Sequence, residues 1–289
     1  MAPVKIAAYA ITKNEQSNVQ RFYEQTRMFD HVTVLDTGST DQTVHMLRDK
    51  GITVHELHML NFDFSEARNM CMSLTPPDMD WLMVLDMNDH FEPLPDLRSQ
   101  LTQVDAHAAS VNYLSSEDPN YWEHKIRLHK PLCYTWKKAV HEYLVPVNKQ
   151  YKRAHVEWNI TKHTSHKQMK HEFYTQICER AHVENPTDPH YSWWALKYYR
   201  DVENWHRLKY FCEHYLDHTV GYGVEFRVYA WIYLSECVQP HNWDKSVDFA
   251  VHAFSESLTF KHTIPKCVNI AAHRLNSLGI SIIDSRITT

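Results

Sequence analysis

Residues 34–43 read Val-Leu-Asp-Thr-Gly-Ser-Thr-Asp-Gln-Thr, an apolar strand end followed by an acidic turn. Residues 31–35 form a short β-branched and apolar run, which places Asp36 at the carboxyl end of a strand, where open α/β sheets bind ligands. Gly38 permits a turn that a Cβ would hinder, and the Thr or Asp after it can cap a helix. A carboxylate in this position can accept hydrogen bonds from a base or a ribose hydroxyl, so the stretch predicts a nucleotide pocket. An ordinary strand-to-helix turn with a capping aspartate is the alternative.

Three further segments of the N-terminal half bring polar residues that suit the same pocket. Residues 4–11 are an apolar strand that leads into Thr-Lys-Asn-Glu at 12–15. Residues 61–69 open a helix and carry an arginine, whose planar fork suits phosphate. Residues 81–85 are a hydrophobic strand that ends in Asp-Met-Asn-Asp at 86–89, and such oxygen ligands suit Mg²⁺ or Mn²⁺. A polar turn after a buried strand is the alternative interpretation of this last segment.

Together these segments resemble the strand ends of the family 2 glycosyltransferases of the GT-A fold, which read roughly KNE, DTGSTD, DFSxARN and LDADE. All four appear in that order across residues 13–89, and the resemblance is specific up to about residue 92. It implies an α/β catalytic domain with a Rossmann-like, mixed sheet and a nucleotide that is usually uridine. The nucleotide contacts that it implies are Thr12, Asn14, Glu15, Asp36, Gly38, Arg68 and Asp86. Arg68 would lie near the phosphates or brace the acidic residues.

The resemblance also implies a divalent cation, Mn²⁺ or Mg²⁺, on the diphosphate of a UDP-sugar donor. Its expected ligands are Asp86, Asn88 and His163. Asn88 stands where the family has its second metal-binding aspartate, so one negative charge is missing and metal binding should be weaker. Asp89, at the position of the family's glutamate, is a candidate replacement.

The family pattern further calls for a carboxylate that activates the acceptor, and Glu142 in Val-His-Glu at 140–142 fits this role. In an inverting transfer such a base takes the proton of the acceptor hydroxyl while the oxygen attacks the anomeric carbon, opposite the leaving diphosphate. Because the chain has 22 histidines, a His–Glu pair with a purely structural role is the alternative.

From about residue 166 strand-like runs cease and aromatic-rich amphipathic stretches begin. The segment that starts Glu-Asn-Trp-His at 203 aligns with the one that starts His-Asn-Trp-Asp at 241, an offset of 38 residues. Each copy follows a helix predicted over about 188–202 or 223–238, and the spacing is close to the tetratricopeptide (TPR) period of about 34. We expect the Trp and Tyr side chains of these helices to be core residues.

These patterns predict two domains, a GT-A-like catalytic domain over residues 1–165 and an all-α, TPR-like helical-repeat domain over residues 166–289. A chain of 289 residues with 43% apolar content is long enough to bury both cores. No stretch approaches the roughly 20 apolar residues that a membrane span requires, and the N-terminus does not resemble a secretory signal. We therefore expect a cytoplasmic protein with no membrane partner.

Charge is distributed unevenly along the chain. Residues 124–171 contain eleven Lys and Arg, two Glu and seven His, so this segment is about +9 within a chain of net charge −5. The surplus leads to the hypothesis of a polyanionic acceptor, such as DNA that carries hydroxymethylcytosine, in addition to the nucleotide-sugar. A solvated basic face with a protein or glycan acceptor is the alternative, and the helical domain could carry contacts to a protein partner.

Two other functions remain open at this level. A nucleotidyltransferase also uses a nucleotide and paired acids, but Thr-Lys-Asn-Glu at 12–15 lacks the usual glycine-rich phosphate loop. A non-catalytic scaffold that presents the helical repeats is favoured only by Asn88, whereas the intact Asp36, Arg68 and Asp86 argue for an enzyme.

Overall fold

The computed structural model of the protein describes residues 3–118, 120–163, 170–219, 223–259 and 265–280. Contacts between Cα atoms divide the chain into two compact units, Met1–Lys167 and Gln168–Thr289. None of the helices in the described ranges combines the length and apolar character needed to cross a lipid bilayer.

The N-terminal unit is built on strands that form one large sheet and one small one. In the described residues its strands are β1 Ile6–Thr12, β2 His31–Asp36, β3 Thr53–Glu56, β4 Trp81–Val84, β5 Asp89–His90, β6 Ala108–Ser115, β7 Trp122–His129, β8 Tyr134–Lys137, β9 Tyr143–Pro146 and β10 Arg153–Lys162. The large sheet has the order β3-β2-β1-β4-β7-β6-β10-β5, and β8 pairs with β9 in a separate hairpin. Because β1 is parallel to β2 and β4 while β7 is antiparallel to β4 and β6, the sheet is mixed, as predicted.

Helices cover both faces of this sheet, so β1 is buried on both sides. The helices of the unit are α1 Val19–Thr26, α2 Thr43–Asp49, α3 Phe64–Ser73 and α4 Leu97–Gln103, with a 3₁₀ turn at Gln16–Asn18. Along β1, Ile6, Ala8 and Ala10 enter one core cluster, whereas Ala7 and Tyr9 enter the other. This alternation follows from the two-residue period of a strand, and a strand buried on both faces is apolar throughout.

Register places two of the predicted site residues side by side. Thr12 at the end of β1 pairs with Asp36 at the end of β2, and β4 lies on the other side of β1. The carboxyl ends of these three parallel strands therefore share one edge of the sheet, which is where an open α/β sheet binds its ligand.

The C-terminal unit is helical throughout its described residues. Its helices are α5 Lys170–Glu184, α6 Pro189–Asp201, α7 Trp205–His218, α8 Val224–Val238, α9 Trp243–Thr259 and α10 Pro265–Ser277. Each helix packs on the next one in sequence, and α8 also contacts α6 and α10. The α/β and all-α fold class predicted from the sequence is confirmed.

The 38-residue repeat of the sequence appears as matched helix starts. The side chain of Asn204 accepts a hydrogen bond from the Arg207 amide at 3.2 Å, and Asn242 accepts one from the Lys245 amide at 2.9 Å. Such caps satisfy amide groups that have no partner within the helix. The expectation that the tryptophans are core residues is wrong for the first residues of α7 and α9, since they are 44% and 50% exposed. Each opens its helix directly after the cap, outside the packed faces.

Candidate active site

The turn after β2 is organised around the carboxylate of Asp36. Oδ2 of this residue accepts hydrogen bonds from the amide groups of Gly38, at 3.0 Å, and Ser39, at 2.9 Å, while Oδ1 accepts one from the Ser39 hydroxyl. Gly38 has a φ of +103°, and a Cβ there would lie 3.1 Å from the His58 ring. Asp36 is only 1% exposed. The carboxylate therefore stabilises the loop. If Asp36 contacts a nucleotide, it does so while it keeps these hydrogen bonds to Gly38 and Ser39.

The turn after β1 is joined to the same loop. Asn14, at a φ of +55°, donates its amide hydrogen to the Ser39 hydroxyl at 2.8 Å and accepts one from the Thr40 amide at 2.7 Å. The Glu15 amide donates to the Thr43 hydroxyl at 2.7 Å. Thr12, Asn14, Glu15, Asp36 and Gly38 thus belong to one pair of interlocked turns at the edge of the sheet.

Thr12 adds a hydrogen-bonding group that the fold does not use. Its carbonyl accepts hydrogen bonds from the amide and the hydroxyl of Thr37, at 2.9 and 3.0 Å. Its own hydroxyl is buried without a hydrogen-bond partner. A buried, unpaired hydroxyl is unfavourable unless a ligand or water completes it.

Arg68 of α3 connects two acidic residues that are distant in sequence. Its Nη2 lies 2.6 Å from Oδ1 of Asp86, and its Nε lies 2.5 Å from Oε1 of Glu142. Burial disfavours the guanidinium charge, but the two carboxylates offset this and raise the Arg68 pKa well above its usual value. The sequence analysis expected Arg68 either to lie near the phosphates or to brace the acidic residues. In the structure Arg68 contacts two acidic residues, as the second expectation describes.

Arg127 of β7 is a site residue that the sequence analysis missed. It is 2% exposed, and its Nη2 lies 3.6 Å from Oδ2 of Asp86 and 3.5 Å from Oδ2 of Asp89. Its guanidinium carbon lies 4.3 Å from the centre of the Tyr113 ring. The sequence did contain a sign of this role, since Arg127 lies inside the strand-like run Lys-Ile-Arg-Leu at 125–128. A charged residue inside a buried strand requires a partner of opposite charge.

The pKa values of Asp86 and Asp89, which both lie near Arg127, are shifted in opposite directions. Burial disfavours both carboxylates, yet Arg68, Arg127 and Lys162 hold the Asp86 pKa well below its usual range. For Asp89, burial and repulsion by Asp86 raise the pKa, although Arg127 opposes the shift. The surrounding cations therefore favour the charged form of Asp86 more strongly than that of Asp89.

Asn88 and His163, two of the expected metal ligands, lie opposite each other where β10 leaves β5. The side-chain amide of Asn88 donates to the His163 carbonyl, and the His163 amide donates to the Asn88 carbonyl at 3.1 Å. The His163 ring stacks on the His90 ring with 3.6 Å between centres. Burial, Arg21 and His163 lower the His90 pKa to about 4, so this ring is neutral at pH 7.

The described residues fit a divalent cation poorly. In the antiparallel register of β5 and β10, Lys162 lies opposite Asp89 and Thr161 lies opposite His90. Because side chains alternate along a strand, Asn88 and His163 lie on one face of this strand pair and Asp89 lies on the other. Asp89 accepts hydrogen bonds from the Asp86 amide at 2.8 Å and the Tyr113 hydroxyl at 3.0 Å, and it does not stand in for the missing ligand at Asn88. Within the described part of the chain, no three His, Cys, Asp or Glu side chains are placed to hold a metal ion.

The basic segment 124–171 is spread over several elements, and residues 164–169 of it lie outside the described residues. Arg127 is buried beside the aspartates, Lys152 pairs with Asp105, and Lys125 lies 3.6 Å from Glu123. Part of the positive charge is therefore balanced locally. A DNA acceptor stays a prediction.

Comparisons with known proteins agree with the resemblance seen in the sequence. The family model "Glycosyl transferase family 2" matches residues 9–172. An uncharacterized glycosyltransferase of Rickettsia typhi is 28% identical over 114 residues, which are 38% of this chain and 36% of that protein. A TPR repeat-containing protein of Synechococcus elongatus is 31% identical over 113 residues, which are 38% of this chain and 27% of that protein. The chain thus spans about a third of the length of these relatives.

Among solved structures, residues 1–349 of S. aureus TarS in complex with UDP-GlcNAc superpose with a TM-score of 0.46 and 12% identity. The superposition covers 97% of this chain and 95% of that one. At this level of similarity the superposition carries no argument about the site, and the family assignment rests on the match to residues 9–172. Since that match covers more than half of the 289 residues, the chain belongs to glycosyl transferase family 2.

Proposed function

We propose that the N-terminal unit transfers a sugar from a UDP-linked donor to a hydroxyl acceptor with inversion of configuration. The observation that carries the proposal is the placement of Glu142 and Asp86 on one arginine at the sheet edge formed by β1, β2 and β4. That edge also holds the interlocked turns with the unpaired Thr12 hydroxyl. A base and a nucleotide pocket on one edge are what an inverting transfer requires.

In this mechanism Glu142 is the catalytic base. Its carboxylate takes the proton of the acceptor hydroxyl while that oxygen forms the bond to the anomeric carbon and the bond to the diphosphate breaks. Arg68 orients Glu142 through the 2.5 Å contact and stays charged throughout. Asp86 and the turns at Thr12 and Asp36 would hold the nucleotide. No step is assigned to a metal ion, because Asp86 is paired with Arg68 and the Asn88 side chain is bound to the His163 carbonyl.

The test is the substitution Glu142→Gln, with Glu157→Gln on the exposed side of β10 as the matched control. Glu142→Gln should keep UDP binding, measured by calorimetry, and lose at least about a hundredfold in UDP release from UDP-sugars with an acceptor panel. Glu157→Gln should behave like wild type. Normal turnover by Glu142→Gln would remove this residue from the mechanism, and absence of any nucleotide binding would favour a non-catalytic scaffold.

The acceptor proposal keeps two classes. A hydroxymethylated base in DNA is supported by the basic segment 124–171, and a protein or glycan acceptor by the local pairing of several of its cations. Duplex DNA binding that falls steeply with salt would support the first class. No DNA binding at low salt would leave the second.

We further propose that the helical unit is TPR-like. The matched caps at Asn204 and Asn242 and the exposed tryptophans that follow them support a repeated helical pair. A protein partner for this unit stays a prediction. Affinity capture that compares the wild-type protein with a variant in which Trp205 and Trp243 are replaced would test it.

A further inference from the structure

Helix α1 holds the acid turn, residues 86–89, which follows β4. Nη2 of Arg21 donates to the Met87 carbonyl of this turn at 2.8 Å, and Nε2 of Gln25 donates to the Phe91 carbonyl at 2.6 Å. Arg21 and Gln25 are four residues apart and therefore lie on one side of α1. Two polar side chains of this helix thus fix the backbone of the acid turn and of the residues just after it.

The same arginine is joined to the nucleotide turn, residues 12–18, which follows β1. Nη2 of Arg21 also donates to Oδ1 of Asn18 at 2.9 Å, and Nδ2 of Asn18 donates to Oε2 of Glu15 at 2.6 Å. Glu15 is one of the nucleotide contacts that the family resemblance implies. A continuous chain of hydrogen bonds therefore runs from the Glu15 carboxylate through Asn18 and Arg21 to the Met87 carbonyl.

Packing of α1 alone does not explain this chain of side chains. Asn18 immediately precedes the helix, yet its side chain does not cap it. Burial disfavours the charge of Arg21 and lowers its pKa, whereas Glu15 and Asp89 oppose the shift. In the described part of the chain, Nε of Arg21 is buried without a hydrogen-bond partner. Burying part of a cation costs free energy that an apolar side chain at this position would not, so an arginine here requires a further reason.

The nucleotide turn lies between the two aspartate loops of the sheet edge. Strand β1 is flanked by β2, which ends in Asp36, and by β4, which leads into the acid turn. The Gln16 amide donates to Oδ2 of Asp41 at 3.3 Å, and the Gln42 amide donates to Oε1 of Gln16 at 3.1 Å. The nucleotide turn is thus bonded directly to the loop after β2, and Arg21 bonds it to the acid turn on the other side.

We propose that Arg21 is a positioning residue that couples the acid turn to the nucleotide turn. A nucleoside that binds Glu15 orders Asn18 and Arg21, and Arg21 then holds the Met87 carbonyl, and with it Asp86, in place for the diphosphate. Ordering one end of a chain of hydrogen bonds reduces the entropy cost of ordering its other end. This inference rests on the proposed function.

The experiment measures amide hydrogen exchange by mass spectrometry with uridine and with UDP. Uridine lacks the phosphates, so in the proposed function it meets the nucleotide turn and the loop after β2, whereas UDP also reaches the acid turn. In the wild type, saturating uridine should slow the exchange of residues 86–92 about threefold or more, in addition to that of residues 12–18. UDP should slow the exchange of both segments.

Two variants separate coupling from simple support of the fold. Arg21→Met removes the hydrogen bonds of the guanidinium, so residues 86–92 should exchange about tenfold faster without ligand and should lose the uridine response. Asn18→Ala breaks the chain but leaves the contact between Arg21 and Met87. Residues 86–92 of this variant should exchange as in the wild type without ligand and lose only the uridine response, which a purely structural arginine would not produce.

Arg27→Met is the matched control, since this arginine is exposed at the end of the same helix, and it should behave as the wild type does. Arg21→Lys keeps a charged donor and should retain part of the response. If Arg21→Met does not fold, Asn18→Ala still decides. A uridine response of residues 86–92 that persists in Asn18→Ala, or that is absent from the wild type while residues 12–18 respond, overturns the inference and leaves the nucleotide pocket standing. If neither uridine nor UDP slows exchange in the wild type, the proposed function fails, and this inference fails with it.

Discussion

Asp36 ends β2 and Asp86 follows β4, and both strands pair with β1, but the two carboxylates are stabilised in different ways. Asp36 accepts hydrogen bonds from uncharged groups of Gly38 and Ser39, within three residues along the chain. Asp86 is held by Arg68 of α3 and by the buried Arg127 of β7. One acid is thus completed by its own loop, and the other by cations from distant parts of the sequence.

The difference separates the edge of the sheet into two electrostatic halves. Neutral donors around Asp36 suit a base and a ribose, which carry no charge. The arginines around Asp86 suit a ligand group with negative charge. Removing individual partners tests whether this division is real.

The largest effect is expected from Arg127→Met. This change leaves the buried Asp89 beside Asp86 without the cation that lies 3.5 and 3.6 Å from them. Breaking a buried ion pair from one side costs about 3 to 5 kcal/mol, so the free energy of unfolding of the N-terminal unit should fall by that amount. Hydrogen exchange of β1 and β4 amides along a urea series measures it. Arg153→Met, at an exposed position of β10, is the control, and a loss below about 1 kcal/mol for Arg127→Met would show that the two aspartates do not depend on Arg127.

A second prediction uses pH and concerns the buried His129. Its Nδ1 lies 3.1 Å from the Lys130 carbonyl and its Nε2 lies 2.9 Å from the Tyr9 hydroxyl, which accepts a hydrogen bond from Trp136. These contacts fit a neutral ring that donates from Nδ1, and burial lowers the His129 pKa to about 4. Below pH 6.5 the His129 ring becomes protonated in the unfolded chain, whereas in the folded chain it stays neutral down to about pH 4. The free energy of unfolding therefore falls as the pH drops through this window.

The loss due to His129 should total about 3 kcal/mol between pH 6.5 and 4. Asp86 adds to the decline only near pH 4, where its carboxyl in the unfolded chain begins to bind a proton while in the folded chain it stays charged. Comparing the pH series of wild type with that of His129→Phe, which should show a flatter decline, isolates the term. Parallel curves would mean that the histidine is charged inside the fold.

The smallest effect is expected from Ser39→Ala. The Ser39 hydroxyl donates to the Asp36 carboxylate and accepts from the Asn14 amide, so its loss removes these two hydrogen bonds but leaves the two amide contacts to Asp36. We expect a loss of about 1 kcal/mol in unfolding free energy, measured by the same hydrogen exchange. A cost as large as that of Arg127→Met would erase the distinction between the two acids.

The contrast also explains what the sequence could predict. The turn after β2 and its glycine were predicted because they obey local turn chemistry, whereas the hydrogen bonds that Asp36 accepts from Gly38 and Ser39 were not predicted. The helices α6 and α8 and the repeated starts of α7 and α9 were predicted for the same reason, since a cap and its helix are adjacent in the chain.

The surroundings of Asp86 could not be predicted in the same way. Arg127 and Lys162 reach it only because the sheet order brings β7 and β10 to the end of β4, and no local pattern encodes that order. The prediction of a metal site rested on the run of oxygen ligands at 86–89 and on the family resemblance, and its ligands stay a prediction. The structure instead engages Asp86 with arginines and Asn88 with the His163 backbone.

In the C-terminal unit each helix packs on the next helix in sequence. This arrangement affects how fast the unit folds compared with the N-terminal unit. Such short-range contacts require little loop closure, and proteins rich in them fold quickly. In the N-terminal unit, by contrast, β10 must find β5 across more than sixty residues and β6 across about forty before the sheet is complete. We therefore expect the contacts of Asp86 that depend on β5 and β10, those with Asp89 and Lys162, to form late in folding.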